Sequence, residues 1–220
     1  MVKKNDGSTF EMDERLIRKQ LAQSRKKIKS NKKNIPARDQ CQTPPIALLP
    51  LLPYIPKEWI VWESAAGEGL LAQGTRKLSG SDVIETDLER GVNFFDTSLS
   101  IGYDMQITNP PFSLKYDWLK KSYENAKPFA LLMPFDTWAA GTAQKLFQEF
   151  GICVILFNRR INFKMPNKGW AGSGSDYNVA WFCWGLPNLR EPVTYGHIPL
   201  AKTLPDWMTK PNNKDEIINA

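Results

Sequence analysis

The sequence predicts an α/β fold built on a doubly wound, mostly parallel sheet. Three observations support this. Short apolar runs rich in β-branched residues alternate with amphipathic segments over residues 59–184. A turn of small residues follows the first run, and acids end the second. Successive βα units produce this alternation, and 220 residues are enough for one full-sized core.

Charge is distributed unevenly along the chain. Residues 1–38 hold twelve Lys and Arg against four Asp and Glu, whereas the remaining residues hold 17 against 19. We therefore predict a basic N-terminal extension over residues 1–40, a folded domain over 41–200 and a C-terminal tail over 201–220. Residues 13–29 predict a weakly apolar helix that can neutralise phosphates. The alternative is a solvated, partly disordered tail.

Several classes of protein are disfavoured by composition. The longest apolar run, residues 44–55, contains four prolines and is too short to span a membrane. With no leader-like start, we expect a cytoplasmic protein, in a bacterial or phage-infected cell. Three widely spaced cysteines and a single histidine favour neither a disulfide framework nor a metal site.

The first elements predict a ligand site. Thr43 is a candidate N-cap before Pro44 and Pro45, and the N–H groups of such a helix end can hold a carboxylate. A plain helix start is the alternative. A strand over residues 59–63 then leads into the small-residue turn 64–69, where Gly67 and Gly69 allow close backbone approach.

Acidic residues end the strand before this turn and also the next predicted strand. Glu63 ends the first, just before the glycines, where it disfavours a phosphate and can accept from an ammonium group. The second strand, residues 83–87, ends in Glu85 and Asp87. Nucleotide-binding folds place a ribose ligand about twenty residues beyond the glycines, which favours Asp87 over Glu85.

A rigid turn over residues 109–112, Asn-Pro-Pro-Phe, follows the next strand. Pro110 and Pro111 remove two backbone donors and restrict φ, and Asn109 is pushed toward extended geometry. The Asn109 amide, the Pro110 carbonyl and the Phe112 ring suit a planar amino group, which needs two acceptors and a stacking surface. A simple strand-ending turn is the alternative.

The rest of the chain continues the alternation. Helices are predicted over 116–126 and 143–150, and strands over 129–134, 153–157 and 179–184, the last being the final strand. A Gly- and Ser-rich loop over 165–176 follows Arg159, Arg160 and Phe163, and we expect it to face a substrate.

In this order, the motifs resemble those of the amino methyltransferases, class I enzymes that methylate exocyclic nitrogens with S-adenosylmethionine. The likeness is to the N6-adenine type, as in phage and bacterial DNA adenine methyltransferases, and covers residues 41–185. It implies a Rossmann-like class I methyltransferase fold, with a seven-stranded sheet whose last strand is antiparallel. Ser64 stands where proline is common in the family.

The resemblance implies roles for individual residues. Catalysis would fall to Asn109, Pro110, Pro111 and Phe112. Many relatives have Asp-Phe at positions 93–94, so either Asn93 or Asp96 would meet the cofactor adenine. The implied S-adenosylmethionine site comprises Thr43, Pro44, Glu63, Ala65, Gly67, Gly69, Asp87, Asn93, Asp96 and Asn109.

The implied substrate is adenine in a nucleic acid, DNA in preference to RNA, contacted in part by residues 1–38. Phe163 or Trp170 would pack against the target base, with core packing as the alternative for Phe163, and Arg159 and Arg160 would bind the substrate. RNA adenine N6 and guanine N2 remain alternatives. A non-catalytic nucleic-acid-binding protein of the same fold is the competing class.

Overall fold

Strands in a computed structural model of the protein follow the predicted order. The structure describes residues 2–3, 9–10, 39–96, 101–166, 168–170 and 178–220; the predicted N-terminal helix and most of the predicted substrate loop lie outside them. The strands are Val2–Lys3 (β1), Thr9–Phe10 (β2), Val61–Glu63 (β3), Val83–Glu85 (β4), Met105–Thr108 (β5), Phe129–Pro134 (β6), Cys153–Phe157 (β7), Lys164–Met165 (β8), Gly169–Trp170 (β9), Val179–Trp184 (β10) and Val193–Gly196 (β11).

Seven of these strands form one sheet, in the order β11-β7-β10-β6-β5-β3-β4. β10 runs antiparallel to both of its neighbours, and every other pair in the sheet is parallel. The predicted Rossmann-like, mostly parallel sheet is therefore confirmed. The pairs β1–β2 and β8–β9 form two small antiparallel hairpins.

The position of the antiparallel strand differs from the prediction. β10 is the penultimate strand, and β11 follows it at the edge of the sheet, parallel to β7. β11 has four residues, of which only Gly196 is buried. An edge strand that buries so little apolar surface lacks the pattern by which strands are recognised in a sequence.

The α-helices of the described residues are short, with four to ten residues each. They are Leu70–Ser79 (α1), Lys115–Glu124 (α2), Gly141–Phe150 (α3), Asp206–Thr209 (α4) and Lys214–Ile218 (α5). Among the described residues, 3-10 helices cover Pro45–Tyr54, Phe112–Leu114, Phe135–Ala139 and Ala201–Thr203. In the part of the chain that is described, none of the helices combines the length and the apolar character needed to cross a membrane.

The helix predicted after Thr43 is the 3-10 helix Pro45–Tyr54, with Pro50 and Pro53 inside it. Each internal proline lacks the N–H that a regular α-helix would use. The residue that flanks its start is Pro44, and no side chain caps it. The predicted N-cap role of Thr43 is therefore wrong.

Apolar residues cover both faces of the sheet, as a doubly wound fold requires. Along β6, Ala130 and Leu132 join a cluster with the 3-10 helix Pro45–Tyr54 and α1, whereas Leu131 and Met133 join a second cluster with α2 and α3. The C-terminal residues are packed as well, since Met208 and Ile217 are buried. The domain boundary at residue 201 stays a prediction.

Candidate active site

A cavity of about 340 Å³ lies at the carboxyl ends of β3, β4 and β5. In doubly wound sheets this is the edge at which ligands bind. The volume is within the range of small-molecule sites. Six residues predicted from the sequence line it together: Ala65, Gly67, Asp87, Asn93, Asn109 and Pro111.

The glycine turn and Asp87 are hydrogen-bonded to each other. Gly67 and Gly69 have φ of +50° and +85°, a region that glycine adopts readily. The Gly67 N–H donates to Asp87 Oδ2 at 2.9 Å, and the Glu89 N–H donates to Oδ1 at 2.8 Å. Each carboxylate oxygen can accept more than one hydrogen bond, so Asp87 can still receive a ligand hydroxyl.

Glu85, the other acid on this strand, serves a different purpose. Its carboxylate is paired with Arg76 at 2.5 Å and with Arg90 at 2.9 Å. Burial raises the pKa of Glu85, but the hydrogen bonds and charges of the two arginines outweigh it and lower the pKa. Arg90 also donates to the Gly67 carbonyl at 2.8 Å. Through Arg90, Glu85 thus supports the glycine turn, whereas Asp87 lines the cavity.

Glu63 lies behind the glycine turn and does not line the cavity. Its side chain is buried, with 2% of the residue exposed. Oε1 accepts from the Thr108 hydroxyl and from the Ala65 N–H at 3.2 Å, whereas Oε2 has no hydrogen-bond partner among the described residues. Burial raises the pKa of Glu63 to about 8, against the lowering effect of the two hydrogen bonds. Its predicted contact with an ammonium group stays a prediction.

Replacing Glu63 with glutamine should reduce the pH dependence of stability. The folded pKa is about 8 and the reference value 4.5, so the native state keeps a proton that the unfolded state loses. The resulting stabilisation is full below pH 4.5 and is lost as the pH rises to about 8. Over this window we expect the free energy of unfolding of the wild type to fall by roughly 3–5 kcal/mol relative to Glu63→Gln.

Urea unfolding at a series of pH values measures this difference. Glu149→Gln, at an exposed position on α3, is the matched control. Its free energy of unfolding should change with pH as steeply as that of the wild type. If the free energy of unfolding of Glu63→Gln changed with pH as steeply as that of the wild type, the Glu63 carboxyl would be ionised in the native protein.

The catalytic turn predicted at residues 109–112 presents an unsatisfied acceptor. Asn109 Nδ2 donates to the Cys41 carbonyl over a long 3.5 Å, and Asn109 Oδ1 is buried with no hydrogen-bond partner in the described ranges. Pro110 is buried and Pro111 lines the cavity. Buried amide oxygens are normally paired, so this one indicates a missing donor.

One segment, residues 39–42, contacts both turns. Asp39 Oδ1 accepts from the Ser113 N–H at 3.1 Å, beside the catalytic turn. At the other end, Gln42 Oε1 accepts from the Glu68 N–H at 2.9 Å, within the glycine turn. Gln42 also exchanges two backbone hydrogen bonds with Lys164, at 2.9 and 3.0 Å. Hydrogen bonds of this segment therefore connect the two turns.

Lys164, which pairs with Gln42, also lines the cavity. Its Nζ pairs with Glu68 Oε2 at 2.6 Å and donates to the Asn212 carbonyl at 2.7 Å. Sequence reasoning missed Gln42 and Lys164, because each acts through residues distant in the chain and neither carries a local motif.

An aromatic wall bounds the cavity on another side. The rings of Phe94 and Trp118 are stacked, with centroids 4.3 Å apart and planes 5° apart. Phe95 meets Trp118 edge-on at 5.2 Å. Sequence reasoning missed Trp118 and Leu114 as cavity residues, although their spacing of four puts them on one face of a helix. Both rings border the cavity, with 2% of Phe94 and 6% of Trp118 exposed.

The alternatives left open for the cofactor adenine are separated in space. Asn93 lines the cavity, and its Nδ2 donates to Asp96 Oδ2 at 2.9 Å. Asp96 is exposed and does not line the cavity. The structure thus brings Asn93, rather than Asp96, next to the aromatic wall.

Other predicted site residues lie away from this cavity. Phe163 is 1% exposed and packs in the core, so its predicted contact with a target base is wrong and the core alternative is the one observed. Phe112 is half-buried against the same core cluster. Trp170, on β9, is half-buried with an unpaired Nε1 among the described residues. Thr43 is buried beside Pro44.

No protein-family model and no curated protein matches the sequence. Among solved structures, the chain is similar to a type I restriction-modification methyltransferase subunit from Streptococcus thermophilus, with 15% identity over 80% of this chain and 50% of that chain and a TM-score of 0.46. It thus spans half of that subunit's length.

Two further solved structures are similar to the chain. A precorrin-6y C5,15-methyltransferase from Geobacter metallireducens has 10% identity over 63% of this chain and 85% of that chain, with a TM-score of 0.39. A predicted O-methyltransferase from Agrobacterium tumefaciens has 15% identity over 80% and 95%, with a TM-score of 0.40. All three proteins are methyltransferases by description. These TM-scores are too low for the three structures to support a conclusion about this chain. The assignment of its fold rests on the order of the strands in its own sheet.

Proposed function

We propose that the protein is an S-adenosylmethionine-dependent methyltransferase that modifies the exocyclic N6 amino group of adenine in DNA. The observation that carries the proposal is the buried, unpaired Asn109 Oδ1, held on a proline-restricted turn beside the cavity. An exocyclic amino group supplies the donor that this acceptor lacks. The Asn-Pro-Pro-Phe motif provides independent support.

The cavity residues fit S-adenosylmethionine part by part. Asp87 would accept from the ribose hydroxyls, and Asn93 with the Phe94–Trp118 pair would hold the adenine ring. Ala65 and the glycine turn would receive the aminoacyl end, with Glu63 behind them as an acidic partner. When bound, S-adenosylmethionine supplies a methyl group on a positively charged sulfur.

The chain's own contribution to the reaction is positioning. An exocyclic amine is a poor nucleophile because its lone pair is delocalised into the ring. Asn109 Oδ1 and the Pro110 carbonyl would accept its two N–H bonds, which favours a pyramidal nitrogen with an outward lone pair. Because Pro110 and Pro111 restrict the turn, these acceptors are held in place before the substrate binds.

The choice of a nucleic acid as substrate is supported by the basic character of residues 1–38. Twelve cationic side chains can neutralise backbone phosphates without reading bases. In a duplex, the target adenine would have to leave the base stack to reach Asn109. RNA adenine N6 and guanine N2 are the alternatives, since both present an exocyclic amine.

Transfer from methyl-labelled S-adenosylmethionine to duplex DNA, single-stranded DNA and RNA tests the proposal. We expect N6-methyladenine in DNA after digestion to nucleosides. Label confined to RNA, or to guanine, would contradict the assigned substrate but keep the reaction. Cofactor binding without label would indicate another acceptor, and nucleic-acid binding with neither would indicate a non-catalytic protein.

A further inference from the structure

A second cavity, of about 370 Å³, lies on the other side of the wall that closes the first. Residues 42–44 and 162–164 form this wall, since Gln42 and Lys164 line the first cavity while Pro44 and Asn162 line the second. Each segment spans two residue steps, so the lining residues on its two sides are at most about 7 Å apart. The two cavities are therefore neighbours.

The second cavity is cationic. Arg159, Arg160 and Lys210 line it, and no acid is found among its described lining residues. Arg159 Nε is buried and has no hydrogen-bond partner within the described part of the chain. A buried cationic donor without an acceptor is costly, so the site is suited to an anion.

An anion alone does not account for the rest of the lining. Its apolar lining consists of Pro44, Pro199 and the almost fully buried isoleucines Ile46, Ile161 and Ile198. The buried Asn162 Oδ1 also has no hydrogen-bond partner in the described ranges. A matching ligand has a negative group, an apolar body and an N–H or O–H donor. A nucleotide combines all three.

We infer that this cavity binds a nucleotide of the nucleic-acid strand, adjacent to the one that is methylated, with its phosphate on Arg159 and Lys210. Its base would lie against the apolar lining of the cavity, with a donor toward Asn162. The inference rests on the proposed function, because it takes the first cavity as the site of methyl transfer. It extends the predicted substrate role of Arg159 and Arg160 to a defined ligand and place.

Arg159→Gln tests the phosphate contact. With a fluorescently labelled single-stranded oligonucleotide, we expect the dissociation constant to rise about tenfold, because a charge-assisted hydrogen bond is lost. The slope of log K against log salt should fall by about 0.7, the value for one phosphate contact on a single strand. Lys145→Gln, on the exposed surface of α3, is the control with the same charge change and should bind more tightly than Arg159→Gln.

Lys210→Gln provides a second variant, at an exposed position that the fold does not need. It should weaken oligonucleotide binding even if Arg159→Gln fails to fold. Binding of adenosine 5′-monophosphate, followed by NMR shifts at Ile161 and Ile198, gives a readout that is independent of methyl transfer. These shifts should be lost in Arg159→Gln or, if that variant does not fold, be weakened in Lys210→Gln.

The outcomes separate this inference from the proposed function. If both variants bind the oligonucleotide like Lys145→Gln while the wild type methylates DNA, the second cavity is not a nucleotide site. If the variants lose binding while the wild type transfers no methyl group, the nucleotide site stands and the proposed reaction is wrong. A wild type that binds neither oligonucleotide nor mononucleotide would overturn the inference.

Discussion

Replacing Asn109 with alanine should lower the rate of methyl transfer by about 10³-fold, comparable to the loss of a preorganised polar group in other active sites. The variant loses the acceptor Oδ1, which has no hydrogen-bond donor among the described residues. Its effect on the fold should be small, because within the described part of the chain the side chain makes one hydrogen bond, over a long 3.5 Å, to the Cys41 carbonyl. Binding of S-adenosylmethionine should therefore remain close to that of the wild type.

Single-turnover transfer and calorimetric binding of S-adenosylmethionine measure the two effects separately. Asn219→Ala, at an exposed position near the C-terminus, is the matched control and should transfer at the wild-type rate. Wild-type turnover in Asn109→Ala would rule out the assigned mechanism. A parallel loss of cofactor binding would mean that Asn109 holds the cofactor rather than the amine.

Replacing Asp87 with alanine should weaken S-adenosylmethionine binding by about 100-fold. Two hydroxyl hydrogen bonds to a charged acceptor account for a loss of this order. The variant also removes the acceptor for the Gly67 and Glu89 N–H groups, so the glycine turn loses support. Equilibrium dialysis with labelled cofactor measures the change.

Two further variants serve as comparisons for Asp87→Ala in this binding measurement. Asp87→Asn keeps the shape of the side chain and one acceptor oxygen, so it should lose less affinity than Asp87→Ala. Glu85→Gln tests the other acid of the strand, which is paired with Arg76 and Arg90. If Glu85→Gln lost the cofactor and Asp87→Ala retained it, the assignment of the ribose ligand would have to be exchanged.

Much of the site could be predicted because its parts are local in the sequence. Gly67 and Gly69 are needed at positive φ within one turn, and Asn109 is positioned by the two prolines that follow it. Each pattern depends on neighbouring residues and so can be recognised without knowledge of the fold. Asp87 belongs to this group through its spacing from the glycines.

Other parts could not be predicted, because they depend on which segments meet. Gln42 and Lys164 are more than a hundred residues apart in the sequence, and two backbone hydrogen bonds bring them together at the cavity. Phe163 follows two arginines near a loop, which suggested a substrate contact, yet its side chain is in the core. Aromatic side chains suit both places, and only packing distinguishes them.

The sequence by itself determined where strands β3 to β7 lie along the chain, the glycine turn and the proline-restricted turn, because these features depend on local periodicity and backbone freedom. Only the tertiary structure decided that Asn93 rather than Asp96 borders the cavity and that a cationic second cavity adjoins it. It also decided that Glu63 is buried, with a pKa of about 8. Burial, desolvation and hydrogen-bond partners are properties of residues distant in the chain, and they exist only when the sheet has assembled.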